Sequence, residues 1–242
     1  METKKLMLSF AMFVLFGSIG IMTYGCTNMP LDRATGNFVK EDRPVSNFTA
    51  LEIGGAFKVY LIQGSQEKLT IEADEDEIGK IVTEVQGNTL KIYTEQWASR
   101  FHEMTIWLTF KDLNNLDFSG AVEVTSEGIL NFNELDLDVS GAAEIQLAIK
   151  AVNFDAEFSG ASAVDLSGQC GKGEIEISGA SDFDAQNLEF QDLSVEVSGA
   201  SSAKVWATGT LDIDASGASD IRYKGSPKVT VNESGASTVK PM

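Results

Sequence analysis

The residues of this sequence best suited to chemistry are carboxylates that recur at fixed distances from a repeated tripeptide. Ser-Gly-Ala occurs seven times, with its glycines at Gly120, Gly141, Gly160, Gly179, Gly199, Gly217 and Gly235. Six of these glycines have an acidic residue three places earlier: Asp117, Asp138, Glu157, Glu176, Glu196 and Asp214. Four have one five places earlier: Asp136, Asp155, Glu174 and Asp212. We call these ten residues the acidic face.

Three roles for the acidic face are open. If successive repeats stack as strands about 4.8 Å apart, neighbouring unit charges repel by about 0.9 kcal/mol even in bulk water. The face is then a solvated surface that tolerates this repulsion, a weak Ca²⁺ site bridged by carboxylates of adjacent repeats, or a docking surface for a basic partner or a neighbouring subunit. The sequence predicts no other metal or cofactor.

The chain holds few residues for other catalytic chemistry. It has one histidine, His102, and two cysteines, Cys26 and Cys170, which excludes most zinc sites and a disulfide framework. The recurring serines have no histidine or lysine nearby to activate them. A candidate site that combines acidic and basic side chains occurs only near Asp182, Asp184, Lys204 and Arg222. No column is visibly interrupted, as a catalytic centre would require, so no enzyme is predicted.

The elements that carry the columns are strands. Two, four and six residues before each repeated glycine, most residues are apolar, as in Leu193, Val195 and Val197, and polar residues alternate with them. This alternation is typical of a half-buried strand. A repeat of 18 to 21 residues cannot bury its own apolar face, but stacked repeats build a continuous core. The sequence therefore predicts an all-β, right-handed parallel β-helix, or β-solenoid, over residues 111–242.

Residues 44–110 are less regular and are predicted to form a β-rich N-terminal cap with the first coils. A separate small domain is the alternative. The expected elements are two strands within Phe48–Gln63, strands at Lys68–Ala73, Thr89–Thr94 and Met104–Phe110, and a short helix at Asp74–Val82.

The N-terminus predicts export. Lys4 and Lys5 precede an apolar run to Met22, and Thr23-Tyr24-Gly25-Cys26 resembles a bacterial lipobox. Residues 1–25 are thus expected to be a lipoprotein signal peptide, Cys26 the lipidated residue, and residues 26–43 a polar tether. An uncleaved anchor and an ordinary signal peptide are the alternatives. A net charge of −18 argues against nucleic-acid binding.

Two further features bear on partners. Lys204, Arg222 and Lys240 each lie five residues after a repeated glycine and predict a short basic column. The last repeat ends without a capping helix, so either Glu233, Lys240 and Pro241 protect its open edge or a second copy covers it as a homo-oligomer. Three tryptophans could stack on sugars or lie in the core or at its rim: Trp97, Trp107 and Trp206.

The segment Phe48–Gly64, FTALEIGGAFKVYLIQG, followed by Ser-Gly-Ala-Ser repeats, resembles the family called putative auto-transporter adhesin, head GIN domain. The resemblance covers residues 45–240 and implies an exported β-helical protein without catalytic residues. We therefore predict a non-enzymatic lipoprotein of the cell envelope, on either side of the outer membrane, that acts as an adhesin-like binding or structural scaffold for a glycan or protein ligand. A polysaccharide-active β-helix lyase or hydrolase is the alternative.

Overall fold

The chain is all-β. The computed structural model describes residues 37–95 and 103–242, in which thirteen strands form a single sheet. The strands are β1 (Phe38–Arg43), β2 (Ala50–Gln63), β3 (Lys68–Asp74), β4 (Ile81–Gln86), β5 (Thr89–Thr94), β6 (Thr105–Phe110), β7 (Asn115–Gly160), β8 (Ala163–Ile177), β9 (Asp182–Val197), β10 (Ser202–Ala215), β11 (Asp220–Gly225), β12 (Lys228–Glu233) and β13 (Thr238–Pro241). Helical structure in this part of the chain is limited to a 3-10 turn at Ile78–Lys80, so none of its helices could cross a membrane.

The chain divides into two units, Met1–Thr35 and Gly36–Met242. The predicted signal peptide and the predicted lipidation site Cys26 fall in the first unit, which lies outside the described residues.

Successive repeats lie side by side in parallel. The sheet order β2-β7-β8-β9-β10-β11-β13 follows the chain, and each of these pairs is parallel. Within the 46-residue strand β7, the Asp136 N–H donates to the Asn114 carbonyl just before the strand, so the strand returns beside its own start. Because partner spacing equals the repeat length, equivalent side chains of successive repeats become neighbours.

The apolar positions of each repeat face one continuous core. Leu193, Val195 and Val197 are buried, as are the residues equivalent to them in the preceding repeats except Asn114, which is exposed. In the last repeat, Val231 occupies a core position but is 39% exposed. It is exposed because β12 pairs with β10 on one side only, and no further strand of the described chain covers its other edge.

The corner of each repeat requires glycine. Gly179 has φ +91°, and a Cβ on it would lie 2.3 Å from the Gly160 carbonyl oxygen. The same crowding recurs from Gly120 to Gly235, each glycine lying against the corner glycine of the preceding repeat. Next to this contact, the Ala180 N–H donates to the Gly160 carbonyl at 2.8 Å, so close backbone approach forms the corner.

A second serine of the repeat forms a buried column that the sequence did not predict. Its buried members are Ser162, Ser181, Ser201 and Ser219. The Ser201 hydroxyl accepts the Ser181 N–H at 3.3 Å and lies 3.2 Å from the Ser198 carbonyl oxygen, to which it donates. Ser162, the first member, has a buried hydroxyl that finds no hydrogen-bond partner among the described residues. The column therefore contains both a satisfied and an unsatisfied serine.

We expect Ser201→Ala to lower the melting temperature by about 2–10 °C, because it leaves the buried Ser181 N–H without its acceptor. Ser162→Ala removes a buried hydroxyl that bonds nothing, so its melting temperature should equal or exceed that of the wild type. Calorimetry of the two variants tests the difference. Equal losses would contradict this account of the column.

Two sequence-based predictions in the N-terminal region were wrong. The expected helix at Asp74–Val82 is only the 3-10 turn, because Ile78 and Ile81 both turn into the core and β4 then pairs with β5. The expected two strands within Phe48–Gln63 are the single strand β2. Gly55, at φ +137°, allows the chain to bend there while pairing with β7 continues on both sides.

The predicted tether also ends earlier than expected. The tether was predicted to span residues 26–43, but its last six residues, Phe38–Arg43, form strand β1, which pairs antiparallel with β3. The sequence of β1 is too polar to predict a strand. Val39 nevertheless packs on the core, and the Arg43 guanidinium donates hydrogen bonds to the carbonyls of Ile78 and Ile81 at 3.1 Å. Backbone pairing and polar contacts of Lys40, Asp42 and Arg43, rather than apolar alternation, hold this strand.

Candidate functional site

The fold brings the acidic face together as predicted from the repeat. Glu157, Glu176, Glu196 and Asp214 are successive partners across β7, β8, β9 and β10. Asp155 and Glu174 are partners in the second column, which Ser194 then interrupts before Asp212. These side chains point away from the core, because buried residues alternate with them along every strand.

The face is longer than the Ser-Gly-Ala motif alone indicates. Glu52 of β2 is the partner of Asp117 and starts the first column. The Gly54-Gly55-Ala56 corner is the signal that would have found it, since Glu52 lies three residues before Gly55. Lys91 of β5 forms an ion pair with Glu52, whereas none of the ten predicted carboxylates is ion-paired to a described residue.

Burial and neighbouring charges both disfavour ionisation at two residues of the face, Asp117 and Asp136. Partial burial raises the pKa of Asp117, and the charges of Glu52 and Asp138 raise it further. The pKa of Asp136 is also raised, first by burial and then by the charges of Asp155, Asp138 and Glu134. The face therefore carries an electrostatic cost in the folded state that a bound cation or basic surface would relieve.

This cost gives a pH-dependent prediction. A raised pKa means that the folded state binds the proton more tightly than the unfolded state, so this stabilisation is present below the ordinary value of 3.8 and lost as pH rises through the folded-state pKa. Asp136→Asn should raise the melting temperature by about 1–3 °C at neutral pH and have no effect near pH 3. Asp112→Asn, in the exposed loop between β6 and β7, is the control. An equal gain in both variants would refute the column repulsion.

The geometry does not favour strong metal binding. Among the described residues, no three histidine, cysteine or acidic side chains converge closely enough to hold a metal ion. A Ca²⁺ ion needs six to eight oxygen ligands, so the predicted weak bridging would have to use water and two neighbouring carboxylates. It stays a prediction.

The predicted basic column is in register, but most of it is neutralised. Lys204, Arg222 and Lys240 are successive strand partners. The Lys204 ammonium lies 2.8 Å from the Asp184 carboxylate, which raises the pKa of Lys204. Arg222 pairs instead with Asp220 at 3.3 Å. Of the four residues singled out for mixed chemistry, the structure thus joins only Asp184 and Lys204 directly.

The prediction that no column is interrupted was wrong for the outer part of β9, although the acidic column from Glu157 to Asp214 stays in register. In β9 the register shifts against β8 between Asp165 and Ser167, and against β10 between Val205 and Trp206. Val205 is the partner of Ala185 but Trp206 is the partner of Glu189, so three residues of β9 have no partner in β10. The bulge begins after Asp184 in the pairing with β8 and after Ala185 in the pairing with β10.

The remaining candidates take peripheral or structural places. Trp107 lies on the outer side of β6 and stacks on Tyr60, with ring centroids 5.8 Å apart. Cys170 is buried, which raises the pKa of its thiol to about 12 and makes it unreactive. Trp97 and His102 lie outside the described residues.

Comparison with known proteins identifies relatives of the described unit. A family model described as putative auto-transporter adhesin, head GIN domain, matches residues 47–227. The chain is similar to the crystal structure of a putative adhesin from Bacteroides fragilis (23% identity, TM-score 0.78, 85% of this chain and 97% of the other covered). It is also similar to two Parabacteroides distasonis structures, a putative adhesin (20%, 0.69, 86% and 98%) and a putative lipid binding protein (19%, 0.63, 86% and 98%). No match was found among curated proteins.

Proposed function

The chain belongs to the putative auto-transporter adhesin, head GIN domain family, and from this membership we propose that it is a non-enzymatic, adhesin-like scaffold of the cell envelope. The single observation that carries the proposal is the acidic face, a run of like-charged side chains held in register across β7 to β10 without ion-pair partners among the described residues. Such a face can add many weak contacts into one stable attachment.

We further propose that the parallel repeats wind as a right-handed β-solenoid. Three features support this: partners 18 to 20 residues apart, the return of β7 beside its own start, and corner glycines stacked on one another. Right-handedness follows from the usual chirality of parallel crossovers. A solenoid would hold the face rigid, because each strand is fixed by neighbours on both sides.

The proposed location is the outer membrane, with the chain lipidated at Cys26 after removal of residues 1–25. The basic start, the apolar run and the Thr23–Cys26 lipobox-like sequence support it. Residues 26–37 would then be the tether, since β1 begins at Phe38.

A non-enzymatic role is also supported by the hydrogen bonds of the candidate nucleophiles. The Ser178 hydroxyl donates to the Phe158 carbonyl at 3.3 Å, and Ser198 bonds the Ile177 carbonyl in the same way. These hydroxyls stabilise the corners and are not directed at a base. The Asp184–Lys204 pair is already satisfied internally.

The proposal is tested with cells whose own copy is replaced by variants of this chain. The acidic-face variant carries Asp138→Asn, Glu157→Gln, Glu176→Gln and Glu196→Gln. Attachment to a surface coated with lysozyme, a basic protein, should fall at least about fivefold, because four adjacent contacts of one column are removed together. Protease treatment of intact cells, with a periplasmic protein as reference, checks that the chain is exposed.

A matched variant controls for net charge. Asp112→Asn, Glu127→Gln, Glu144→Gln and Asp165→Asn remove four exposed carboxylates outside the acidic face. Cells with this variant should attach like the wild type. Equal attachment by both variants, or equal loss in both, would refute a specific role for the face.

A further inference from the structure

The repeat loses its regularity at one place in the parallel part of the described sheet. All three register shifts between parallel strands of the described sheet involve β9, whose residues Gln186, Asn187 and Leu188 are unmatched in β10. The last of the three lies between Ala207 and Thr210 of β10. Bulges often occur next to functional sites, because the extra residues re-aim neighbouring side chains.

A groove of about 430 Å³ lies beside these bulges. It is lined by residues from four successive strands: Lys150, Ala151, Gln169, Cys170, Gly171, Glu189, Gln191 and Thr208. Its volume lies within the range of about 300–1,000 Å³ typical of small-molecule sites. Gly171 contributes no side chain, and the backbone of Val152 lies close against it.

The polar side chains of the groove are available for a ligand. Lys150, Gln169 and Glu189 are successive strand partners, so an ammonium, an amide and a carboxylate stand in one row. These three side chains and that of Gln191 make no hydrogen bond or ion pair with any described residue. The row supplies both donors and acceptors and is neutral in sum, unlike the acidic face.

An indole stands at the end of this row. Trp206 is the strand partner of Glu189, and it is half-buried on the outer side of β10. The Lys224 ammonium lies 4.3 Å from the centroid of its ring and covers it from the side of β11. The neighbour on the other side is Glu189 of the groove, so a ligand lying over Gln169 and Glu189 would meet the indole.

We propose that this groove binds a neutral carbohydrate chain. Sugar hydroxyls both donate and accept hydrogen bonds, which matches a row of ammonium, amide and carboxylate, and sugar C–H groups pack on aromatic rings. Within the groove one positive and one negative group balance each other, and the Lys224 ammonium beyond them lies over the Trp206 ring, so the groove itself favours a neutral ligand over an anionic one. The site is separate from the acidic face and extends the proposed function to a second ligand class.

Calorimetric titration of the soluble chain tests the proposal. The probes are hexasaccharides of β-1,4-linked glucose, mannose and N-acetylglucosamine, with hexagalacturonate as the anionic comparison. At least one neutral probe should bind with a dissociation constant of about 0.01–1 mM. Gln169→Ala and Trp206→Ala should each weaken it at least about tenfold.

Trp107→Ala is the matched control. Like Trp206, Trp107 lies on the outer side of the sheet under a lysine, with Lys40 at 4.2 Å from its ring centroid. Its strand partners, Tyr60 and Thr70, do not line the groove, whereas the Trp206 partner Glu189 does. The Trp107→Ala variant should bind the neutral probe with the same dissociation constant as the wild type. Melting curves verify that each variant is folded, and Gln169→Ala, at an exposed position, tests the site without altering an aromatic ring.

Three results would overturn the proposal: no neutral probe binds at millimolar concentration, hexagalacturonate binds more tightly than all three, or Gln169→Ala and Trp206→Ala bind like the wild type. The attachment assay of the acidic-face variant uses different residues. A chain that attaches through the acidic face but binds no neutral sugar would therefore overturn this inference and leave the proposed function standing.

Discussion

Replacing Gly179 with alanine is expected to lower the melting temperature by about 5–20 °C or to prevent folding. The new Cβ would lie 2.3 Å from the Gly160 carbonyl oxygen, a backbone atom fixed by its own hydrogen bond to the Ala180 N–H. The φ of +91° is also unfavourable for alanine. Strain and overpacking together cost about 2–6 kcal/mol, and thermal unfolding followed by circular dichroism measures the loss.

Two other glycines separate the contributions to this loss. Gly128 has a positive φ of +85° but open space around it, so Gly128→Ala should show only the backbone strain, about 1–2 kcal/mol. Gly79 has neither a positive φ nor a neighbour within 4 Å, so Gly79→Ala should change stability by less than about 1 kcal/mol. A Gly179→Ala variant no less stable than Gly128→Ala would show that the corner contact is not essential.

Replacing Glu233 with valine is expected to convert the chain into a concentration-dependent assembly. Glu233 occupies a core position, as the strand partner of Ala215, yet its carboxylate accepts the Val239 N–H at 2.8 Å. It thus places a charge over the open end and occupies a free backbone donor, both of which oppose strand pairing with another molecule. Valine would extend the apolar surface of Val229 and Val231 and free that donor.

Sedimentation velocity over a range of concentrations measures this change. Glu233→Gln is the control, because the amide oxygen can still accept the Val239 N–H, and this variant should assemble less than Glu233→Val. A wild-type chain that already forms dimers, unchanged by either substitution, would contradict the protective role of Glu233. The homo-oligomer that the sequence leaves open would then gain support.

Much of the site could be predicted from the sequence because the repeat encodes it locally. Alternation with period two assigns each residue to the inner or outer side of a strand, and a constant repeat length makes equivalent residues neighbours. These two facts were enough to place Glu157, Glu176 and Glu196 in one row and Val195 in the core, as the structure has them. The family resemblance is confirmed over residues 47–227.

The errors arose where pairing rather than pattern decides the conformation. The sequence of β1 is too polar to predict a strand. The strand forms because it pairs with the edge of β3 and because Arg43 donates hydrogen bonds to the carbonyls of Ile78 and Ile81. The expected helix after Asp74 did not form because Ile78 and Ile81 are better buried by a turn into β4. Both outcomes depend on partners far along the chain.

The sequence by itself therefore determined the all-β class, the core positions, the corner glycines and the row of carboxylates, because each follows from local periodicity. Only the tertiary structure decided where the chain accommodates the different length of the repeat between Gly179 and Gly199. Gly179 and Gly199 are 20 residues apart, against 19 before them and 18 after. The spacing indicates extra residues, but an unmatched residue can bulge anywhere between two corners. Packing of Ala185 and Leu188 in the core fixes the bulge between them, and that choice makes Glu189 of the groove the strand partner of Trp206.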